Sequence, residues 1–329
     1  MSREPARMRD TASRPMPVGP QEDPSTGSSG LSYQLWLKQF HSEIYEELLL
    51  APASDPKIVE VLQRVGLFHD VPRLQVFRTS GDGALAESAL EWCAARQQSR
   101  SRSYRGIAIK GLPPSFKKLR EEGILDLQEI PLLVQREGGR LPETDARSAL
   151  LARFRIGRRH DGVAAFEETR RARIWKPDEI ETLTVLAAAV GAAFEQRALL
   201  DDLRTRELET RALLDNCPGI VYLKDRTGRF IFGNKLLADY CGVPQIELAG
   251  RRNEDLFPAE WVDGLDEMDR LVLVEGERID YDRQVPFGGK TFTIRVHRAP
   301  VIGDSGEIIG IVVFAEDKTE LTELRRRLG

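Results

Sequence analysis

The sequence predicts an α+β protein, with two antiparallel-sheet domains joined by a long helix. Three observations predict it. The 329 residues, 41% hydrophobic and 30% charged, suit two medium domains better than one large one, at about 100 to 200 residues per domain. Short apolar runs bounded by glycine or charged turns recur on both sides of residue 200, the mark of several short strands. Between them Ile180, Leu183, Leu186, Val190 and Phe194 repeat at helical spacing, and the pattern continues through Leu199, Leu203 and Leu208 toward Leu214 with no proline before Pro218.

Composition narrows the function classes before any motif is read. A net charge of −4 supplies no global positive field for phosphate backbones or anionic lipid, so nucleic acid is not an expected partner. Cys93, Cys217 and Cys241 are widely spaced and free of any C-x-x-C pair, which suits buried thiols in a reducing cytosol. No run of 18 apolar residues occurs, so no membrane insertion is expected, and the first residues lack the apolar core of a secretory signal. The expectation is a cytoplasmic chain.

Residues 1–30 hold five Pro, three Gly and five Ser but no Leu, Ile, Phe, Tyr or Trp, too little apolar surface to offset ordering entropy; a disordered tail is expected there. From Leu31 onward Trp36, Phe40, Ile44 and Leu48 share one helical face, and the segment stops near Pro52. Asp55-Pro56 offers an N-cap and a first-turn proline to a second helix, which carries Ile58, Val61, Leu62 and Val65. Residues 74–77 read as a strand and Gly81-Asp82-Gly83 as its turn. Residues 84–92 read as the returning strand, although their Ala and Glu content also suits a helix. A short helix opens at Pro113-Pro114 and runs through Leu119. Residues 130–135, 150–156 and 162–167 read as further strands. The long helix begins after Pro177. Its second half, 201–211, carries charges of alternating sign, as an exposed connector or a short parallel coiled coil does.

Beyond Asn216 strands return. Residues 219–224 and 229–232 flank the turn Asp225-Arg226-Thr227-Gly228, and Asn234 caps a short helix to Cys241 that Gly242-Val243-Pro244 ends. An amphipathic helix over 258–274 precedes three strands, 278–285, 290–298 and 307–316. A charged helix, 318–328, follows them.

These residues carry two resemblances. GIVYLKDRTGRFIFGN at 219–234, AGRRNEDLFP at 249–258 and GEIIGIVVFAEDKTE at 306–320 together resemble a PAS domain over 210–328. The exit signal of that family is Asp, an apolar residue, Thr and Glu, and Asp317, Lys318, Thr319 and Glu320 keep three of the four. More loosely, residues 31–197 resemble a GAF domain, chiefly in GVAAFEETRRARIWKPDEIETLTVLAAAVGAAFEQR at 162–197. The organisation expected is a tail (1–30), a GAF-like domain (31–198), a helical connector (199–209), a PAS domain (210–317) and an outgoing signalling helix (318–329).

Catalytic motifs are missing. No histidine has the sequence context of a kinase phosphoacceptor helix, and no glycine-rich ATP lid or cyclase signature occurs. In Phe287-Gly288-Gly289-Lys290-Thr291 the end of a P-loop is present, but Gln284 stands where its first glycine belongs and the segment is a hairpin turn. The chain is therefore expected not to be an enzyme. His41, His69, His160 and His297 stand far from one another and from any cysteine, so no local metal cluster is written in the sequence. Relatives with haem use a histidine on the long helix before the last three strands, and 256–278 has none. Photoactive flavin relatives use an Asn-Cys-Arg motif, which Cys241-Gly242 lacks. No cofactor is expected.

What remains is an apolar pocket in the PAS-like part. Its expected walls are Val221, Phe230, Phe232, Leu237, Tyr240, Phe257, Trp261, Leu265, Phe292 and Ile294, with Arg295 or Arg283 to hold an acid. Asp317 and Thr319 are expected to couple the sheet to the outgoing helix, since the carboxylate can accept N–H bonds from the first turn and the hydroxyl can bond back to the sheet. The resemblance implies a sensory input module of bacterial signal transduction, relaying an unknown small ligand or a protein contact through the helices of a homodimer. Its expected partners are a histidine kinase, a response regulator or a cyclic-dinucleotide enzyme. The alternative is the sensory half of a histidine kinase or diguanylate cyclase whose catalytic domain lies outside this chain.

Overall fold

The computed structural model describes residues 27–49, 54–157, 160–287 and 290–328. It is 45% helical and 28% strand and divides into two compact units, Met1–Asp201 and Asp202–Gly329.

The first unit runs α1 (Gly27–Leu49), α2 (Asp55–Phe68), β1 (Arg73–Thr79), β2 (Leu85–Cys93), β3 (Ile107–Ala108), α3 (Phe116–Glu122), β4 (Ile124–Leu127), α4 (Ile130–Glu137), β5 (Ser148–Ile156), β6 (His160–Glu168) and the start of α5 (Pro177–Asp215). Its six strands form one sheet in the order β3-β2-β1-β6-β5-β4, with every pairing antiparallel. The helical stripes read from sequence cover one face of it. Phe40, Ile44 and Leu48 of α1, Ile58 and Leu62 of α2 and Leu183, Leu186 and Val190 of α5 close on Leu74, Val76, Leu150 and Phe166 in a single core. Burial of this kind contributes roughly 1.5 to 3 kcal/mol per large side chain, and it supports the helix at α1, whose first turn has no acidic residue and whose last turn has no basic one.

Several expectations need correction here. Residues 130–135 are not a strand: Pro131 lies in the first turn of α4, which buries Ile130 and Leu133 and leaves Leu132 and Val134 out. A run of five apolar residues has no period of its own, and a first-turn proline decides in favour of helix. The fourth strand, β4, was not expected; it is four residues that follow a left-handed Gly123. The N-cap of α2 is Ser54 rather than Asp55, which sits in the first turn. The first helix starts at Gly27, so residues 27–30 continue it rather than belonging to the tail, while the expected disorder of 1–26 lies outside the described residues. Among the described residues α5 is the one helix long and apolar enough to cross a bilayer, by length and composition alone. Leu183, Leu186, Ala187, Ala189, Val190 and Ala193 from its apolar part are buried in the first unit's core.

In the second unit the order is β7 (Gly219–Asp225), β8 (Phe230–Gly233), α6 (Lys235–Cys241), α7 (Asn253–Leu256), α8 (Ala259–Glu275), β9 (Ile279–Phe287), β10 (Lys290–Ile302), β11 (Ile308–Asp317) and α9 (Thr319–Leu328). The sheet order is β8-β7-β11-β10-β9, all antiparallel. Asn234 locks the corner where sheet becomes helix. Its Oδ1 accepts from the Leu237 N–H (3.2 Å) and the Val221 N–H (3.1 Å), and its Nδ2 donates to the carbonyls of Gly219 (2.8 Å) and Leu214 (3.0 Å). All of the amide's hydrogen-bonding capacity is used with no solvent exposure. Gly310 is forced by packing between β11 and β7, because a Cβ there would stand 2.2 Å from the Lys224 carbonyl oxygen.

Candidate functional site

Alternation along the strands builds the site. On β10, Phe292, Ile294, Val296 and Arg298 point to one side of the sheet. Tyr281, Arg283 and Val285 of β9 and Val313, Ala315 and Asp317 of β11 point the same way, and Leu237, Tyr240, Phe257, Trp261 and Leu265 come over them from α6 to α8. They line a half-open cavity of about 400 Å³. The Arg283 guanidinium lies 4.2 Å from the centre of the Trp261 ring, a cation–π contact.

Of the expected wall residues, Tyr240, Phe257, Trp261, Phe292 and Ile294 line this cavity, as do Leu237, Leu265 and Arg283. The other four do not. Phe230 is 1% exposed and packs behind the wall, its ring 5.0 Å from Tyr222 and 6.3 Å from Phe257. Val221, Phe232 and Arg295 have the wrong parity. Val221 alternates with the inward Ile220 and Tyr222, Phe232 pairs with Leu223, and Arg295 lies between the inward Ile294 and Val296, its exposed guanidinium 3.8 Å from Asp282. A one-residue step on a strand moves a side chain to the other face.

Beneath the cavity lies a charged group that sequence reasoning missed. Lys224 of β7, wholly buried, donates to Asp269 Oδ2 (2.6 Å) and to Asn253 Oδ1. Arg298 donates through Nη1 to Asp269 Oδ1 and through Nη2 to the Tyr281 hydroxyl (3.4 Å). The Lys224 ammonium also stands 4.5 Å from the Phe230 ring centre. Burial lowers the pKa of Lys224, and Asp269 opposes that shift. A sequence signal existed: Asp269 lies on the buried stripe of α8 with Leu265 and Val272, where a carboxylate needs a cationic partner.

At the end of β11 the exit signal forms a tight knot. Asp317 Oδ1 accepts from the Thr319 N–H (2.8 Å) and from its hydroxyl (2.5 Å), and Thr319 Oγ1 accepts from the Thr293 N–H on β10 (2.9 Å). The Lys318 N–H returns a bond to the Thr293 carbonyl (2.7 Å). Asp317→Ala is expected to lower stability by about 1 kcal/mol, the usual value of a lost cap, as read by urea denaturation.

A larger cavity of about 570 Å³ lies in the first unit. Glu167, 5% exposed, lies against it. The Glu167 Oε2 accepts from Arg73 Nε (2.6 Å) and the Tyr104 hydroxyl (3.3 Å), and burial raises its carboxyl pKa. Among the described residues no group of three or more His, Cys, Asp or Glu could hold a metal. Burial pushes the Cys93 thiol up to about 12 and that of Cys241 up to about 11. Both are expected to react with iodoacetamide at pH 8 more than about tenfold slower than a free cysteine, since the thiolate is the nucleophile; peptide mapping after timed alkylation reads this.

A family model for the PAS fold matches residues 214–323. These residues form a PAS domain. Two similar curated proteins are the methanogenesis regulatory histidine kinase FilI of Methanothrix harundinacea and the methyl sulfide methyltransferase-associated sensor of Methanosarcina acetivorans. The first is 25% identical over 121 residues, 37% of this chain and 14% of the relative. The second is 26% identical over 130 residues, 39% of this chain and 13% of the relative. The chain thus spans only a small part of these relatives' lengths. Among solved structures the PAS domain of Bordetella pertussis BvgS is 27% identical, with a TM-score of 0.32 over 38% of this chain and 94% of that one. The Escherichia coli DhaR(N)-DhaL complex is 11% identical, with a TM-score of 0.44 over 86% of this chain and 90% of that one. PAS domains are sensory and non-catalytic, and the cavity and exit knot both lie within the PAS domain.

Proposed function

We propose that the chain is the sensory input region of a bacterial signalling protein, with a GAF-like first unit and a PAS domain that holds a small molecule in its cavity and passes its state to α9. The observation that carries this reading is the shared strand. Phe292 and Ile294 line the cavity, and Thr293 between them bonds to Thr319 at the start of the outgoing helix. A ligand that shifts the two wall residues also bears on the bond that ties the helix to the sheet. Asp317 belongs to both, lining the cavity and capping Thr319.

The relay works in a cytoplasmic homodimer, through contacts along the exposed leucines Leu199, Leu203 and Leu213 of α5 and Leu321 and Leu324 of α9, a coiled-coil-like arrangement that biases a two-state packing. A histidine kinase, response regulator or cyclic-dinucleotide enzyme receives the signal in a two-component or related pathway. Two measurements test the reading. Sedimentation is expected to give a dimer at tens of micromolar, and a monomer there would remove the dimer relay. In a fused kinase reporter, Asp317→Ala is expected to change output while the PAS domain stays folded; an unchanged output with the same folded spectrum reduces Asp317 to a helix cap. The second reading, favoured by the two relatives named as a histidine kinase and a sensor, is that this chain is the sensory part of a longer kinase.

A further inference from the structure

We propose that the PAS cavity is built for an anionic ligand, a compact monocarboxylate with an apolar body, whose carboxylate is received by Arg298. The inference rests on the reading above that the cavity holds a small molecule, and it names the class.

Charge and hydrogen bonding in the buried network both fall short by one acceptor. Lys224 and Arg298, 0% and 1% exposed, share the single buried carboxylate of Asp269. Asn253 passes the network on to Asp266 (2.7 Å), but Asp266 is exposed to solvent. Arg298 spends Nη1 on Asp269 and Nη2 on Tyr281, and its buried Nε has no hydrogen-bond partner among the described residues. Removing a guanidinium N–H from water without giving it an acceptor is costly, and the cost is highest for a charged donor. The Nε edge is itself sealed, so a carboxylate in the cavity supplies the missing acceptor when the guanidinium turns that edge toward it.

The neighbourhood specifies the rest of the molecule. Arg298 lines the cavity itself, so the unsatisfied donor belongs to a side chain that a bound molecule touches. Arg283, stacked on Trp261, is a second cation in the lining. The two lining carboxylates, Asp239 and Asp317, are exposed, and Asp317 is already bonded to Thr319. An anion is thus favoured at the buried end. Tyr222, Phe257 and Leu265 give the remainder an apolar lining, and about 400 Å³ lies toward the small end of ordinary ligand cavities, roughly 300 to 1,000 Å³.

The test uses the full chain and matched probes that differ only in the head group: 3-phenylpropionate, 3-phenylpropanamide and 3-phenylpropanol, with hexanoate, hexanamide and hexanol as a second set. Affinities are read from the methyl resonances of Leu237, Leu265 and Ile294. The acid of at least one set is expected to bind ten times or more tighter than its amide and alcohol. Arg298→Lys, which keeps a charge but lacks Nε, is expected to abolish that preference and leave the alcohol's affinity unchanged. The acid-over-amide preference of the unsubstituted chain decides the class even where Arg298→Lys melts. Equal affinity across both sets overturns the anionic class while leaving a ligand-binding cavity in place. If no probe moves the cavity resonances, the cavity reading fails and the proposal with it.

Discussion

Asp269→Ala lowers the stability of the PAS domain by about 3 to 5 kcal/mol, the usual cost of removing one partner from a buried ion pair. The substitution leaves Lys224 and Arg298 as two buried cations with no carboxylate between them. The same physics predicts an asymmetry. Replacing Lys224, Asp269 and Arg298 together by Met, Leu and Met removes every stranded charge and costs far less than Asp269→Ala alone, since apolar isosteres of buried ion pairs are often neutral or stabilising. Urea titrations read from the methyl resonances of Leu265 and Val272 separate the two cases. A loss below about 1 kcal/mol for Asp269→Ala, the size of an ordinary surface effect, would remove the network from the stability of the fold.

Acid is expected to destabilise the first unit through a histidine. Burial lowers the pKa of His69 to about 4; Asp178 opposes the shift, while Arg173, His41 and Lys176 add to it. The His69 ring packs on Phe68 and Phe166, and its Nε2 has no partner among the described residues, so the folded state holds it neutral. The unfolded chain binds this proton with an ordinary pKa near 6.5. Stability from this group is therefore complete above pH 6.5 and is lost as pH falls from 6.5 to about 4. The total is about 3 kcal/mol at 1.36 kcal/mol per pKa unit. His41, also lowered by burial and bonded to Thr182 (2.9 Å), acts in the same direction. The check is the pH dependence of denaturant unfolding. His69→Phe is expected to flatten the slope between pH 6.5 and 4 while changing stability at pH 7.5 by less than about 1 kcal/mol, being a volume-conserving swap. An unaltered slope would assign the acid sensitivity to carboxylates instead.

Where local chemistry decides the outcome, the sequence was legible. Asn234 could be read as a cap because Asn before a short apolar helix has one economical use, and the structure adds that the same amide bonds Val221 and Gly219 of β7. The long stripe from Ile180 to Phe194 was equally plain, since 3.6-residue periodicity over several turns has few alternatives. Strand parity was harder. Arg283 and Arg295 are both basic residues in the last three strands, and only the register, Arg283 opposite Ile294, decides that the first faces the cavity and the second does not. The Lys224–Asp269–Arg298 group was illegible as a constellation. Its members lie 45 and 29 residues apart on three elements, and no spacing rule connects them before the sheet is assembled. The segment 130–135 misled for the opposite reason, because a dense apolar run carries hydrophobicity without periodicity.

One amide in the PAS domain reports on an element far away in sequence. At Thr293 the ladder of β10 runs past its last pair with β11, Ile294 with Asp317, and is continued by the first residues of α9: Lys318 donates to the Thr293 carbonyl and Thr319 receives its N–H. Deuterium exchange at the Thr293 N–H therefore proceeds only when the beginning of the exit helix lets go, 26 residues downstream. Its protection factor is a built-in gauge of that docking, readable without a label, a reporter or any knowledge of what the output domain does.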